Sequence, residues 1–207
     1  MFTGYACVLG SMVGILSTGL SDSDEGQASF ISDGWARFSV LSTVLYGSFS
    51  HSILIFRLLG VWLFVEDYAW KVVCFLLAWT CVPTLLLSLR YDMVQGESHI
   101  VPASIAAVAT LLFQAFVMVF NERFEHIKGI VRASWTLSLV AGVSMCVFAV
   151  IWFAQGNLSS TTEDDPLYYT STILEFISVE FALILDLLLI YPCIEEIQKI
   201  VTNYMSI

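Results

Sequence analysis

Six long apolar stretches, separated by shorter polar segments, give this chain its pattern. The stretches cover about residues 1–20, 38–58, 71–89, 102–120, 131–153 and 166–193. Each approaches the length of ~20 mostly apolar residues that an α-helix needs to cross a bilayer. The pattern therefore predicts an all-α fold, with residues 1–193 forming a polytopic membrane protein whose core is a six-helix transmembrane bundle.

Turn-forming and helix-capping residues indicate where the helices begin and end. The linker at 60–70, GVWLFVEDYAW, is aromatic and amphipathic and is predicted to lie along the membrane interface. Pro83 should kink the third stretch, and Pro102 suits the first helical position of the fourth. Asp165 is a natural N-cap for a sixth helix that starts at Pro166.

The last residues, 194–207, form a predicted short cytoplasmic tail. Ile194, Ile197, Val201 and Tyr204 recur there at helical spacing. This spacing is typical of an amphipathic helix on a membrane surface, and the alternative is a simple continuation of the sixth helix.

The sixth stretch contains Glu175, Glu180 and Asp186 but no basic residue. A central acidic residue costs roughly 2.5–3.5 kcal/mol on insertion scales, so these side chains are expected to face protein, water or a partner. Together with His51 and Gln114 they form the candidate intramembrane polar site. Either they accept hydrogen bonds from neighbouring helices and fix helix register, or they bind or relay protons or cations.

Small residues recur every four positions in the first stretch. They are Ala6, Gly10, Gly14 and Thr18. A face without large side chains lets another helix backbone approach closely. We predict that this face packs within the bundle, and homo-oligomer formation through it is the alternative.

Composition and charge exclude several classes of protein. Of the 207 residues, 58% are hydrophobic and only 13% charged, against about 25% charged in soluble domains. The net charge is -10 and only eight Lys and Arg residues are present, so nucleic acid is not an expected partner. All five cysteines lie in apolar stretches, which indicates packing rather than a disulfide framework.

The distribution of basic residues predicts the orientation. With a cytoplasmic N-terminus, six basic residues lie inside and two, Arg37 and Arg90, lie outside. The six are Arg57, Lys71, Arg123, Lys128, Arg132 and Lys199. Both termini are therefore predicted to be cytoplasmic, and the sequon at Asn157 falls in an outer loop where it is a glycosylation candidate.

No sequence motif indicates catalysis. HExxH, Gly-x-Ser-x-Gly and phosphate-loop motifs are all missing from the sequence, and His51, His99 and His126 lie in three different regions. His99 with Glu97 is interpreted as a solvated loop pair. We therefore predict no catalytic residues, no metal site and no cofactor.

Short motifs and the overall plan resemble the DRAM family of autophagy modulators. The resemblance rests on six spans, Ile31-Ser32-Asp33 in the first loop, Arg57 at the end of the second stretch, Glu175 in the sixth, and Ile197-Gln198-Lys199-Ile200 in the tail. The wider superfamily includes Golgi proteins of GPI-anchor lipid remodelling and plasma-membrane scaffolds for a phosphatidylinositol kinase. In the family the tail is usually continuous, whereas Pro192 interrupts it here.

Two functions follow as hypotheses. The resemblance implies a non-catalytic membrane protein that organises or regulates membrane lipid or a protein partner, in a lysosomal or Golgi membrane or at the cell surface. The alternative is a proton- or cation-coupled transporter or channel subunit that uses the acidic sixth helix.

Overall fold

The computed structural model describes residues 39–88, 97–154 and 166–205, and within these ranges the chain is helical with no strand. The helices are α1 (Ser39–Phe64), α2 (Tyr68–Ser88), α3 (Glu97–Gln114), a π-helical segment (Ala115–Val119), a 3₁₀ helix (Glu122–Ile127), α4 (Lys128–Ala154) and α5 (Pro166–Met205). The prediction of an all-helical fold is confirmed for this part of the chain.

Three helical segments in the described ranges are long and apolar enough to cross a membrane. They are Tyr68–Leu85, Ser98–Val119 and Glu122–Val147. A shorter apolar helical run covers His51–Phe64. These segments support a membrane protein by length and composition.

Several predicted features lie outside the described residues. They are the first span at 1–20 with Ala6, Gly10, Gly14 and Thr18, the motif Ile31-Ser32-Asp33, the basic residues Arg37 and Arg90, the sequon at Asn157, and the N-cap Asp165.

Helix α1 joins two helix pairs. α4 packs most extensively against α5, and α2 packs most extensively against α3, while α1 contacts both α2 and α5. The buried core takes Val61 from α1, Ala78 from α2, Phe113 from α3 and Leu189 from α5. Burial of side chains from all these helices in one cluster makes the described helices a single packed unit.

Large apolar side chains cover the outside of this unit. Exposed examples are Trp79 on α2, Val108 on α3 and Val140 and Val147 on α4. A soluble monomer rarely exposes continuous apolar surface on this scale. The arrangement is the one expected for helices that face lipid hydrocarbon.

The linker predicted at 60–70 is much shorter than expected. α1 continues to Phe64, and only Val65, Glu66 and Asp67 separate it from α2. α1 continues past residue 60 because Val61 and Phe64 are buried in the core. α2 begins after Asp67, whose Oδ1 caps the new helix by accepting a hydrogen bond from the Trp70 amide. The aromatic residues of the linker therefore belong to two helix ends.

Two prolines lie at different helical positions from those expected. Pro102 is inside α3, which begins five residues earlier at Glu97, so it does not occupy the first helical position. As the sixth residue of α3, Pro102 lies beyond the N–H groups that a helix start leaves unpaired, so its ring removes one backbone hydrogen bond from the helix. Pro192 is also accommodated, and α5 continues through it to Met205.

Helix α5 is the longest in the described ranges. At 40 residues it extends about 60 Å, roughly twice the thickness of the hydrocarbon core. Residues 197–205, at its C-terminal end, are exposed. Of the two interpretations of the tail, the structure has the continuous helix.

Small residues bring α4 and α5 into close contact. The hydroxyl of Ser138 donates to the carbonyl of Ser178 (2.9 Å), and the hydroxyl of Ser178 donates to the carbonyl of Ser138 (3.0 Å). One turn further along α4, a Cβ atom added to Gly142 would lie 3.0 Å from Ser178 Oγ. The backbones are therefore close enough that the side chain at 142 determines whether the reciprocal bonds form.

We expect Gly142→Leu to lower the unfolding temperature in detergent, because the added side chain displaces the Ser178 hydroxyl and separates the helices. Overpacking of this kind costs about 1–3 kcal/mol. Gly129→Leu, in the same helix, is the matched control, since a Cβ atom at Gly129 meets nothing within 4 Å. Equal unfolding temperatures for the two variants would contradict the packing described for α4 and α5.

Candidate intramembrane polar site

A buried ion pair joins α1 to α5. Arg57 Nε donates to Asp186 Oδ1 (3.0 Å), and Arg57 Nη2 donates to Asp186 Oδ2 (2.7 Å). The two residues are only 3% and 4% exposed. The two parallel bonds are the bidentate geometry that a planar guanidinium forms with a carboxylate.

The same guanidinium reaches two further helices. Arg57 Nη1 donates to Cys81 Sγ on α2 (3.0 Å) and to Thr110 Oγ1 on α3 (3.3 Å), while Cys81 and Thr110 hydrogen-bond each other (2.8 Å). The ring of Phe113 lies 5.2 Å from the guanidinium carbon. One cation therefore connects α1, α2, α3 and α5.

These contacts offset the free-energy cost of burying the charges of Arg57 and Asp186. An unpaired guanidinium or carboxylate in an apolar interior is strongly unfavourable, and a bidentate pair with additional hydrogen bonds offsets most of that cost. Asp186 supplies the opposite charge, and Cys81 and Thr110 accept the bonds from Nη1 that the carboxylate does not. The cluster is electrically neutral as a whole.

The sequence interpretation of Arg57 needs correction. It treated Arg57 as a charge at the membrane edge, but α1 runs two further turns beyond it and the side chain is buried. The signal for the pair was present: a basic residue inside one apolar stretch and an acid inside another require each other. The missed step was to extend the second stretch past residue 58.

Gln114 lies close to this cluster. Its side chain is fully buried, and Nε2 donates to the carbonyl of Ala182 (2.8 Å), one turn before Asp186 on α5. Gln114 Oε1 is buried with no hydrogen-bond partner among the described residues. Gln114 also ends α3 at the point where the π-helical segment begins, a feature that is often found at functional positions.

The other acids of α5 stand apart from the ion pair. Glu180 and Glu175 are six and eleven residues before Asp186, or about 9 and 16 Å along the axis. Both are half-buried, and Glu180 Oε1 is a buried oxygen without a hydrogen-bond partner in the described part of the chain. The three acids therefore have different surroundings.

His51 and His99 lie at other positions on the helices than the cluster around Arg57. His51 is exposed on α1, two turns before Arg57. His99 is buried at the start of α3, so its interpretation as part of a solvated loop pair is wrong. The described residues contain no group of three or more His, Cys, Asp or Glu side chains placed to hold a metal ion.

Comparisons with protein-family models, curated proteins and solved structures gave no match to this chain.

The ion pair gives a prediction for stability. Asp186→Asn should destabilise the protein by about 3–5 kcal/mol, because it leaves the Arg57 charge buried without its counter-charge. The double variant Arg57→Met with Asp186→Leu should recover most of this loss, since it removes both charges and keeps apolar volume. Denaturant unfolding in mixed micelles measures both effects.

A single variant as stable as the unaltered chain would contradict the buried pair. A double variant less stable than Asp186→Asn would show that contacts other than charge compensation dominate at this position.

Proposed function

We propose that this chain is a non-catalytic, six-span membrane protein that organises or regulates membrane lipid or a protein partner. The observation that carries the proposal is the engagement of Asp186 by Arg57. An acid that carries protons or ions must exchange partners, whereas Asp186 is held by two parallel bonds in a buried cluster that joins four helices. This supports a fixed scaffold.

The lipid-facing surface supports the same proposal. Exposed apolar side chains on α2, α3 and α4 provide a long surface for acyl chains or for the spans of another protein. The resemblance to the DRAM family favours an organiser of lysosomal, Golgi or plasma membranes. The departure noted at Pro192 is not seen in the helix, because α5 continues through this residue to Met205.

The proposed orientation has both termini in the cytoplasm. Without Arg57, five basic residues remain for the inner side. They are Lys71, Arg123, Lys128, Arg132 and Lys199. Contacts at this end support the grouping: Arg123 lies 3.9 Å from Glu196 of α5, and its guanidinium lies over the Phe64 ring at the end of α1.

The topology has a direct test. Expression in a glycosylating host should give a chain whose mass falls on glycosidase treatment, and Asn157→Gln should remove the shift. Cysteine-accessibility mapping that placed residues 155–165 on the cytoplasmic side would contradict the topology.

Transport by the acidic α5 is the second candidate function. It is favoured by one observation, the buried Glu180 Oε1 that has no hydrogen-bond partner among the described residues. A carboxyl in such surroundings needs a proton, a cation or another partner. Glu180 rather than Asp186 is therefore the residue on which the two functions differ.

Glu180→Gln distinguishes the two functions, because it keeps the shape of the side chain and removes its charge. For a scaffold we expect folding and lipid or partner association to stay nearly unchanged. For a transporter, proton- or cation-coupled flux in reconstituted vesicles should disappear while the unfolding temperature stays the same.

Vesicles with the unaltered chain and protein-free vesicles are the controls for flux. A flux that the unaltered chain supports and Glu180→Gln eliminates would overturn the organiser proposal.

A further inference from the structure

An open cleft of about 390 Å³ lies at the turn between α1 and α2. Three aromatic rings form a row along it: Trp70 lies 4.9 Å from Phe116, and Phe116 lies 6.4 Å from Phe120, measured between ring centroids. Trp70 is 51% exposed and Phe120 is 68% exposed, so both offer ring surface to a ligand. The volume is within the range of small-molecule sites, about 300–1,000 Å³.

Two carboxylates line the same cleft. Glu66 and Asp67 are exposed residues of the α1–α2 turn. Asp67 Oδ1 accepts the hydrogen bond from the Trp70 amide, which fixes the acid beside the aromatic row. The cleft therefore combines negative charge with aromatic ring faces, the two features that attract an organic cation.

The neighbouring basic side chains that the structure describes have partners other than the two carboxylates of the cleft. Lys71 lies over the ring of Trp62, and Lys128 pairs with Glu125. Arg123 lies over Phe64, which lines the cleft, and the acid it approaches is Glu196 (3.9 Å). No ion pair within the described residues involves Glu66 or Asp67. The carboxylates of Glu66 and Asp67 are therefore available to a cation that the described residues do not supply.

The position of the cleft indicates where that cation comes from. The cleft lies where α1 ends and α2 begins, beside two exposed tryptophans, Trp62 and Trp70. Tryptophan at the ends of spanning helices is typical of the headgroup level of a bilayer. A ligand at this level is presented by the membrane itself, with its acyl chains along the apolar helix surface.

We propose that this cleft binds the quaternary ammonium headgroup of a zwitterionic lipid, with Trp70 and Phe120 against the cation and Glu66 and Asp67 supplying the opposite charge. Aromatic faces suit a methylated ammonium, which has no N–H group to donate. A primary ammonium is more strongly hydrated and carries three N–H donors that ring faces satisfy poorly, so the aromatic row favours the methylated ion. The inference rests on the proposed function, because its ligand is a membrane lipid.

The test uses the full chain purified in a maltoside detergent. Equimolar phosphatidylcholine, phosphatidylethanolamine and phosphatidylglycerol are added, and the lipids that remain bound are identified by native mass spectrometry. We expect phosphatidylcholine to be retained in preference to the other two. Glu66→Gln and Trp70→Leu should each reduce that preference by up to about tenfold, the loss expected for one cation–π or charge contact.

Glu122→Gln and Trp79→Leu are the matched controls, because Trp62 holds Lys71 and is not a neutral position. They change exposed residues of the same two types outside the cleft and should leave the headgroup preference unchanged. Unfolding temperatures of all four variants are compared, and Glu66→Gln, which alters an exposed side chain, serves if Trp70→Leu does not fold.

The outcomes separate this inference from the proposed function. Lipids retained without headgroup preference, or equal retention of phosphatidylethanolamine, would overturn the inference and leave a lipid organiser in place. Failure to retain any lipid would count against both.

A further arm replaces the lipids with choline chloride. A rise in unfolding temperature as large as that given by phosphatidylcholine, lost in Glu66→Gln, would assign the cleft to a soluble cation and overturn its assignment to a lipid.

Discussion

The buried charge of Arg57 is the constraint on which the described helices depend. A guanidinium inside apolar surroundings needs a counter-charge and partners for its remaining N–H groups. These come from Asp186, Cys81 and Thr110 on three other helices. The depth and rotation of α1, α2, α3 and α5 are therefore coupled, since shifting one of these helices by a turn would leave donors or charge unpaired. Apolar contacts alone, which are nearly interchangeable in lipid, would not specify these positions.

The position of α4 depends on close backbone packing against α5 rather than on a buried charge. The reciprocal bonds between Ser138 and Ser178 need backbones close enough for each hydroxyl to reach the opposite carbonyl. Gly142 permits this approach because it places no side chain against Ser178. The spacing of four between Ser138 and Gly142 was visible in the sequence. Small residues are frequent in several stretches, however, and spacing alone does not indicate which face meets which neighbour.

Within the described residues, the sequence predicted the helical fold, and it predicted the helix ends less well. Apolar length defines a helix because every backbone group in a membrane must be paired within the segment. Helix ends depend on tertiary contacts: α1 extends to Phe64 because that ring packs against Phe124, and Asn121 donates to the Phe64 carbonyl (2.9 Å). These partners are more than fifty residues away. The polar site shows the same limit, because Arg57 looks like a residue at a span edge until the tertiary contacts that extend α1 to Phe64 are known.

The unequal surroundings of Asp186 and Glu180 bear most directly on function. Asp186 lies where α5 meets Arg57, and its charge is satisfied within the protein. Glu180 lies six residues earlier on the same helix, and its buried Oε1 has no hydrogen-bond partner among the described residues. Because the ion pair fixes α5 in depth and rotation, it also fixes the direction in which Glu180 points. A rigid helix can therefore hold a second acid at a cost in solvation, and such a cost is typical of a position that meets a proton, a cation or a partner.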